Sequence, residues 1–173
     1  MSRLSTLSPA ALKAMFSPES SDTLIMLLTI YDDSGDPTKN IRLADGYTQR
    51  ISETARDITY GVLSRSLAYT FIPITVSLPS EDEAAAPRCS LTINDVTKLL
   101  IPIIRTITSP PKVLMELVLA SSPSIVEASF PGFYITNFTY TAESVQAELS
   151  MINFATEPFP AYTFTPAYFP GLF

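Results

Sequence analysis

The side chains that could do chemistry in this sequence are carboxylates and one thiol. There is no histidine among the 173 residues, and there is a single cysteine, Cys89. A nucleophile–histidine pair is thereby excluded, and so is a histidine-ligated zinc or haem. One cysteine makes no internal disulfide and no cysteine-rich metal site. Cys89 stands at an alternating apolar position, where a small buried hydrophobe is expected. An unpaired thiol also favours a reducing site of synthesis. Asp32, Asp33 and Asp36 flank Gly35 and could offer oxygens to calcium. They lack the EF-hand glycine and glutamate at the required positions, so they read as a solvated turn. Glu116, Glu127, Glu143 and Glu148 fall in predicted strands. A carboxylate-based glycan hydrolase would need two of them about 5–9 Å apart in a cleft. Strand parity puts Glu143 and Glu148 on opposite faces, and solvated strand positions account for all four. No catalytic residue, cofactor or metal site is expected, and the chain is read as not an enzyme.

Charge and composition narrow the partners. The net charge is −6, with 11 basic residues scattered along the chain and no basic stripe. Nucleic acid is therefore not an expected partner, because affinity for phosphate comes mostly from Lys and Arg. With 46% hydrophobic and 16% charged residues the chain can bury a core. Met1–Phe16 has no apolar run of signal-peptide type. The longest apolar stretches, Leu24–Tyr31 and Leu99–Ile104, fall well short of the roughly 20 residues that span a bilayer. No membrane is expected.

The elements that must position these residues are mostly strands. Ser8 can cap a helix over residues 8–16, with Pro9 at its first position and Ser17-Pro18 as its stop. Leu12, Met15 and Phe16 share one face and should dock it. Asp22–Tyr31 reads as a strand buried on both faces. Ile41–Leu43 and Asp57–Val62 are shorter candidates. Tyr69–Pro79 alternates, and Pro73 places it at an edge or a bulge. Ser80–Pro87 is an acidic connector. Arg88–Ile93 alternates with Cys89, Leu91 and Ile93 on one side, and a helix broken at Pro102 is expected over Val96–Arg105. Lys112–Ala120, Ile125–Phe130, Phe133–Tyr140 and Glu143–Met151 complete the strands. The sum is a mainly β domain, a barrel or sandwich of about eight to nine short strands with one or two helices. It should span residues 1–153.

The remaining segment, 154–173, has a different character. It holds Phe154, Phe159, Tyr162, Phe164, Tyr168, Phe169 and Phe173, with Pro158, Pro160, Pro166 and Pro170, and its one charged side chain is Glu157. Proline at this density breaks helix and strand and favours extended chain. A disordered tail would be polar and poor in aromatics. This arm should bury its rings, with Phe159, Tyr162, Phe164, Tyr168, Phe169, Leu172 and Phe173 as candidate interface residues. An intersubunit strap and a tail wrapped on its own domain fit equally.

Glu157-Pro158-Phe159-Pro160, Phe164-Thr165-Pro166-Ala167 and Phe169-Pro170-Gly171-Leu172-Phe173 resemble the ending of a family of tailed-bacteriophage minor tail proteins. That family is described as a domain of unknown function. Ile74–Ser80, Leu91–Val96, Val113–Leu119 and Pro123–Glu127 resemble it more weakly, so the likeness spans roughly residues 57–173. The family is similar to the minor tail protein M of lambda-like phages and to distal tail or baseplate hub components. The resemblance implies a virion protein of the tail tip, made in the host bacterial cytoplasm. Its partners would be other copies of itself in a ring, a hexamer with a trimer as the alternative, and the tail tube, hub and tip proteins. A receptor- or glycan-binding module is the alternative function. The resemblance transfers no catalytic residue.

Overall fold

Two residues, Ile72 and Pro73, decide how the sheet of this protein is shaped. The computed structural model describes residues 7–17, 20, 22–31, 36–37, 39–54, 58–77, 88–94, 110–141, 144–151 and 171. Within them lie one helix, α1 (Pro9–Phe16), and ten strands. The strands are β1 (Leu24–Ile30), β2 (Ile41–Ala44), β3 (Gln49–Glu53), β4 (Ile58–Ser64), β5 (Leu67–Phe71), β6 (Ile74–Ser77), β7 (Arg88–Ile93), β8 (Lys112–Leu119), β9 (Ser122–Tyr140) and β10 (Val145–Met151). They form one sheet in the order β3-β4-β5-β2-β1-β8-β9-β10-β7-β6. Every neighbouring pair is antiparallel except β2 and β5.

β5 is third in that order and β6 is last, yet Ile72-Pro73 is all that separates them. Two linking residues cannot hold the strand ends more than roughly 11 Å apart. The far edge of the sheet must therefore come round to β5. The corner carries the ladder on both sides. Ile72 N donates to Ala44 O of β2 at 3.0 Å, and Pro73 O accepts from Asn94 N, beyond β7, at 3.0 Å. Pro73 has no N–H to lose there.

The curl encloses a core that draws on both halves of the sheet. Leu28 and Ile30 of β1 and Ile72 at the corner pack with Leu91 and Ile93 of β7, Val113 and Met115 of β8, Phe133 and Ile135 of β9, and Leu149 of β10. The opposite face of the central strands is covered as well. Ile25, Leu27, Ala44 and Val118 meet Val62 and Tyr69 in a second, smaller cluster. β1 is thus buried on both sides, as its apolar run, interrupted only by Thr29, predicts. Tyr69 keeps its hydroxyl satisfied by bonding Thr29 Oγ1 at 3.2 Å.

The mainly β expectation holds, with differences of detail. The run over residues 69–79 is two strands rather than one, because Pro73 sits at the corner. Ile125–Phe130 and Phe133–Tyr140 are one strand, β9. Pro131-Gly132 does not turn the chain; the pairing with β8 shifts there, and Gly132 has a φ of 85°. Such a bulge bends a strand without ending it. β3 has one half-buried residue, Ile51, among exposed ones, which leaves too little apolar pattern to read. The second helix, the acidic connector at 80–87 and the aromatic arm at 154–170 and 172–173 lie outside the described residues.

Gly61 shows how closely the strands approach. A Cβ there would stand 1.9 Å from Tyr69 O and 2.5 Å from Ile51 Cδ1. Gly61→Ala should force β4 away from β5 and cost about 2–3 kcal/mol, read as a fall in Tm of roughly 5–10 °C. An unchanged Tm would contradict this packing. Asp45, just after β2, accepts the Met26 N–H at 2.7 Å. Burial pushes its carboxyl above the ordinary value of 3.8, against the lowering effect of that N–H. The folded state therefore favours the protonated form, and the stability this group contributes is lost as pH rises above 3.8 through the native value. Asn at this position can keep the bond but cannot ionise. Asp45→Asn should gain in Tm relative to the unmodified chain as pH rises from about 3 to 7. A gap that stays constant with pH would count against it.

Candidate functional site

Helix α1 is held by a single buried carboxylate. Ser8 caps the helix, and its Oγ accepts from Ala11 N at 3.1 Å. The same hydroxyl donates to Glu127 Oε1 at 2.7 Å, and Ser8 N donates to Glu127 Oε2 at 2.8 Å. Glu127 is 4% exposed. It is the extra residue of a bulge in β9, since Leu117 pairs with Ala128 and Val118 with Val126. The bulge takes Glu127 out of simple alternation, and the positive end of α1 is a favourable place for its charge.

Beneath α1 lies an apolar groove of about 530 Å³. Leu24, Leu117, Leu119, Ala128 and Phe130 line it from the sheet, and Ala11, Ala14 and Met15 from the helix. Leu117 and Leu119 sit on the same face of β8 as Met115, so the groove opens from one end of the larger core. The helix docks through only part of the expected face: Leu12 is half-buried and Met15 lines the groove, but Phe16 turns outward. Ala11 is buried, whereas Met15 is 56% and Phe16 75% exposed. The clamp from Ser8 to Glu127 brings the small side chain of Ala11 against the sheet and leaves the two large ones at the rim.

A second polar pin holds the β4–β5 hairpin. Its two turn residues, Arg65 and Ser66, have φ of 49° and 65°. This is the twist that two-residue hairpins need, although neither residue is one of the usual glycine or asparagine formers. Arg65 grips Glu116 of β8 with both terminal nitrogens, Nη1 to Oε1 at 3.0 Å and Nη2 to Oε2. Its backbone N also reaches Ser124 Oγ at 3.3 Å. Outside these pins, Tyr47 packs against Tyr60 and Phe71, with ring centroids 5.4 and 5.2 Å apart. Tyr47 and Tyr60 are exposed.

Glu116 and Glu127 are each committed to a partner, Glu148 is exposed on β10, and Glu143 lies outside the described residues. Cys89 is buried, and that burial pushes its thiol up to about 11. It stays protonated at neutral pH and is a poor nucleophile. Among the described residues no three His, Cys, Asp or Glu side chains gather as a metal-binding set. Asp32 and Asp33 are not described, and neither are Phe159, Tyr162, Phe164, Tyr168, Phe169, Leu172 and Phe173. No sequence pattern joins Ser8 to Glu127 or Arg65 to Glu116. An isolated Glu within an apolar strand was the one available signal.

A family model described as a domain of unknown function (DUF1833) matches residues 10–164. The chain belongs to this family. The matched span takes in all ten strands and nearly all of α1, and it runs on into the aromatic segment as far as Phe164. No curated protein matches the chain.

The clamp on α1 can be measured directly. Ser8→Ala should cost about 1 kcal/mol as a lost cap. Glu127→Ala should cost about 1–3 kcal/mol and raise amide exchange over residues 9–16 while the strands stay protected. In a double-mutant cycle the two should couple by at least about 0.5 kcal/mol, and strict additivity would contradict the clamp.

Proposed function

We propose that the protein is a structural subunit of a bacteriophage tail tip or baseplate. In this reading it forms a distal tail or hub ring that links the tail tube to the hub and tip proteins, and it works through surfaces without catalysis. It would be made in the host cytoplasm and reside in the virion. The observation that carries the reading is apolar surface on two different elements of the fold. Met15 and Phe16 stand exposed on α1, and Tyr47, Ile58 and Tyr60 stand exposed around β3 and β4. A closed ring needs two unlike patches on each subunit, one to give and one to receive. The aromatic segment 159–173 would be the strap of such a ring. Its resemblance to the endings of minor tail proteins is what supports the assignment to a phage tail. Six copies are favoured, with three as the alternative.

The cluster of Tyr47, Tyr60 and Phe71 also suits the second reading, a receptor- or glycan-binding module, because exposed rings stack on sugar faces. Sedimentation separates the two. The full chain should associate, and a chain ending at Thr156 should be lighter. Met15→Ser/Phe16→Ser and Tyr47→Ser/Tyr60→Ser should each weaken association. A full chain that sediments as a monomer at every concentration would contradict the ring. Tyr47→Ser/Tyr60→Ser that abolishes binding to bacterial cell-wall glycans with association intact would favour the second reading.

A further inference from the structure

The strands β3, β4 and β5 join the rest of the sheet at one point. The chain enters them from β2 through Asp45 and Gly46, and it leaves them through Ile72, whose N–H bonds Ala44 O at the end of β2. Their ladder to β2 is two residue pairs long, Leu43 with Thr70 and Ala44 with Phe71. Inside the unit the ties are closer. β4 pairs with both β3 and β5, Thr48 N donates to Gly61 O at 2.9 Å, and Tyr47 packs against Tyr60 and Phe71. The far end is the turn at Arg65 and Ser66. Six extended residues separate Arg65 from Phe71, which puts the tip roughly 20 Å from the junction.

Between junction and tip the grip on the sheet below is slight. The buried residues of β4 and β5 are Gly61, Val62, Ser64 and Tyr69. Val62 and Tyr69 are the ones that bring apolar side chains to the smaller core, and Tyr69 adds its bond to Thr29. Ser64 works against closure. Its Oγ is buried without a hydrogen-bond partner among the described residues, so any state that returns it to water is favoured. Arg65 offsets this at the tip. It holds a φ of 49°, which a residue with a side chain adopts at a cost, and from there its guanidinium takes both oxygens of Glu116. Glu116 is paired on either side, with Leu27 of β1 and Ser129 of β9, so it belongs to the body of the sheet.

We propose that β3, β4 and β5 form a flap, hinged beside Ala44 and latched at its tip by Arg65 on Glu116, that opens as one body while the remaining sheet stays folded. Opening uncovers Ile25, Leu27 and Val118 of the smaller core and frees the edge of β2. The flap does not depend on the ring reading and fails separately from it.

Amide hydrogen exchange in the full-length chain tests it. Amides of residues 58–71 should exchange at least about tenfold faster than those of 24–30 and 112–119. Arg65→Ala should raise the rate over 58–71 by a further factor of about ten and leave 112–119 within about twofold. Ser64→Ala should act in the opposite direction and slow 58–71 by about threefold, since the closed flap then hides no unpartnered hydroxyl. Equal rates in all three segments of the unmodified chain would overturn the proposal. So would an equal rise in all three with Arg65→Ala, or a faster or unchanged 58–71 with Ser64→Ala. A thiol under the flap gives a second readout. Val118→Cys in a Cys89→Ala background should react with a thiol reagent about tenfold faster once Arg65→Ala is added, and an unchanged rate would again overturn the flap.

Discussion

The structure depends on how short the link is between β5 and β6. Ile72 and Pro73 join strands that stand third and last in a ten-stranded sheet. An uncurled sheet of that order would separate them by seven strand spacings of nearly 5 Å each, several times the reach of the link. The sheet has to curl, and the larger core is what the curl encloses. Ile72 points into that core, while Tyr69, of opposite parity, points into the smaller one. One short stretch of chain thus sets both faces of the sheet.

Curling solves one problem and creates another. It buries the apolar face of β7 to β10 without a second sheet, but it leaves an end of the core uncovered. The chain closes that end with α1 and holds the helix through one carboxylate. On the other face it lays the β4–β5 hairpin over β1 and β8 and holds it with Arg65 on Glu116. Both pins are carboxylates on buried backbone of β8 or β9, each at most 5% exposed. A lone buried charge is costly, so each acid requires its partner as much as it secures it. The apolar contacts supply most of the stability. The pins fix where the covering elements sit.

Much of this was legible in the sequence because it is local. The cap at Ser8-Pro9, the two-sided burial of β1 and the alternation of Cys89, Leu91 and Ile93 follow from residue type and period. The class of the fold follows from the count of such runs. Legibility failed where a residue answers to something distant. Pro73 reads as an edge or bulge signal, and its use as a corner is set by β2 and β7. Pro131-Gly132 reads as a turn, and only the uninterrupted partner strand β8 makes it a bulge. The docking face of α1 is only partly the one amphipathicity favours, because Glu127, more than a hundred residues away, brings Ala11 against the sheet and leaves Phe16 exposed. The partners of Glu127 and Glu116 had no pattern to betray them.

Among the described residues Glu116 and Glu127 are paired, Glu148 is exposed and Cys89 is buried, and the proposed role rests on apolar surfaces instead. Those surfaces are an open-rimmed apolar groove and exposed rings around β3 and β4, beside a C-terminal segment, 154–173, with one charged side chain. They support a part that fits between neighbours. Electron microscopy of the purified full chain tests this most directly. Closed rings with sixfold, or alternatively threefold, symmetry are the predicted particles. A field of single 173-residue particles, or of open filaments with no ring closure, would contradict the account.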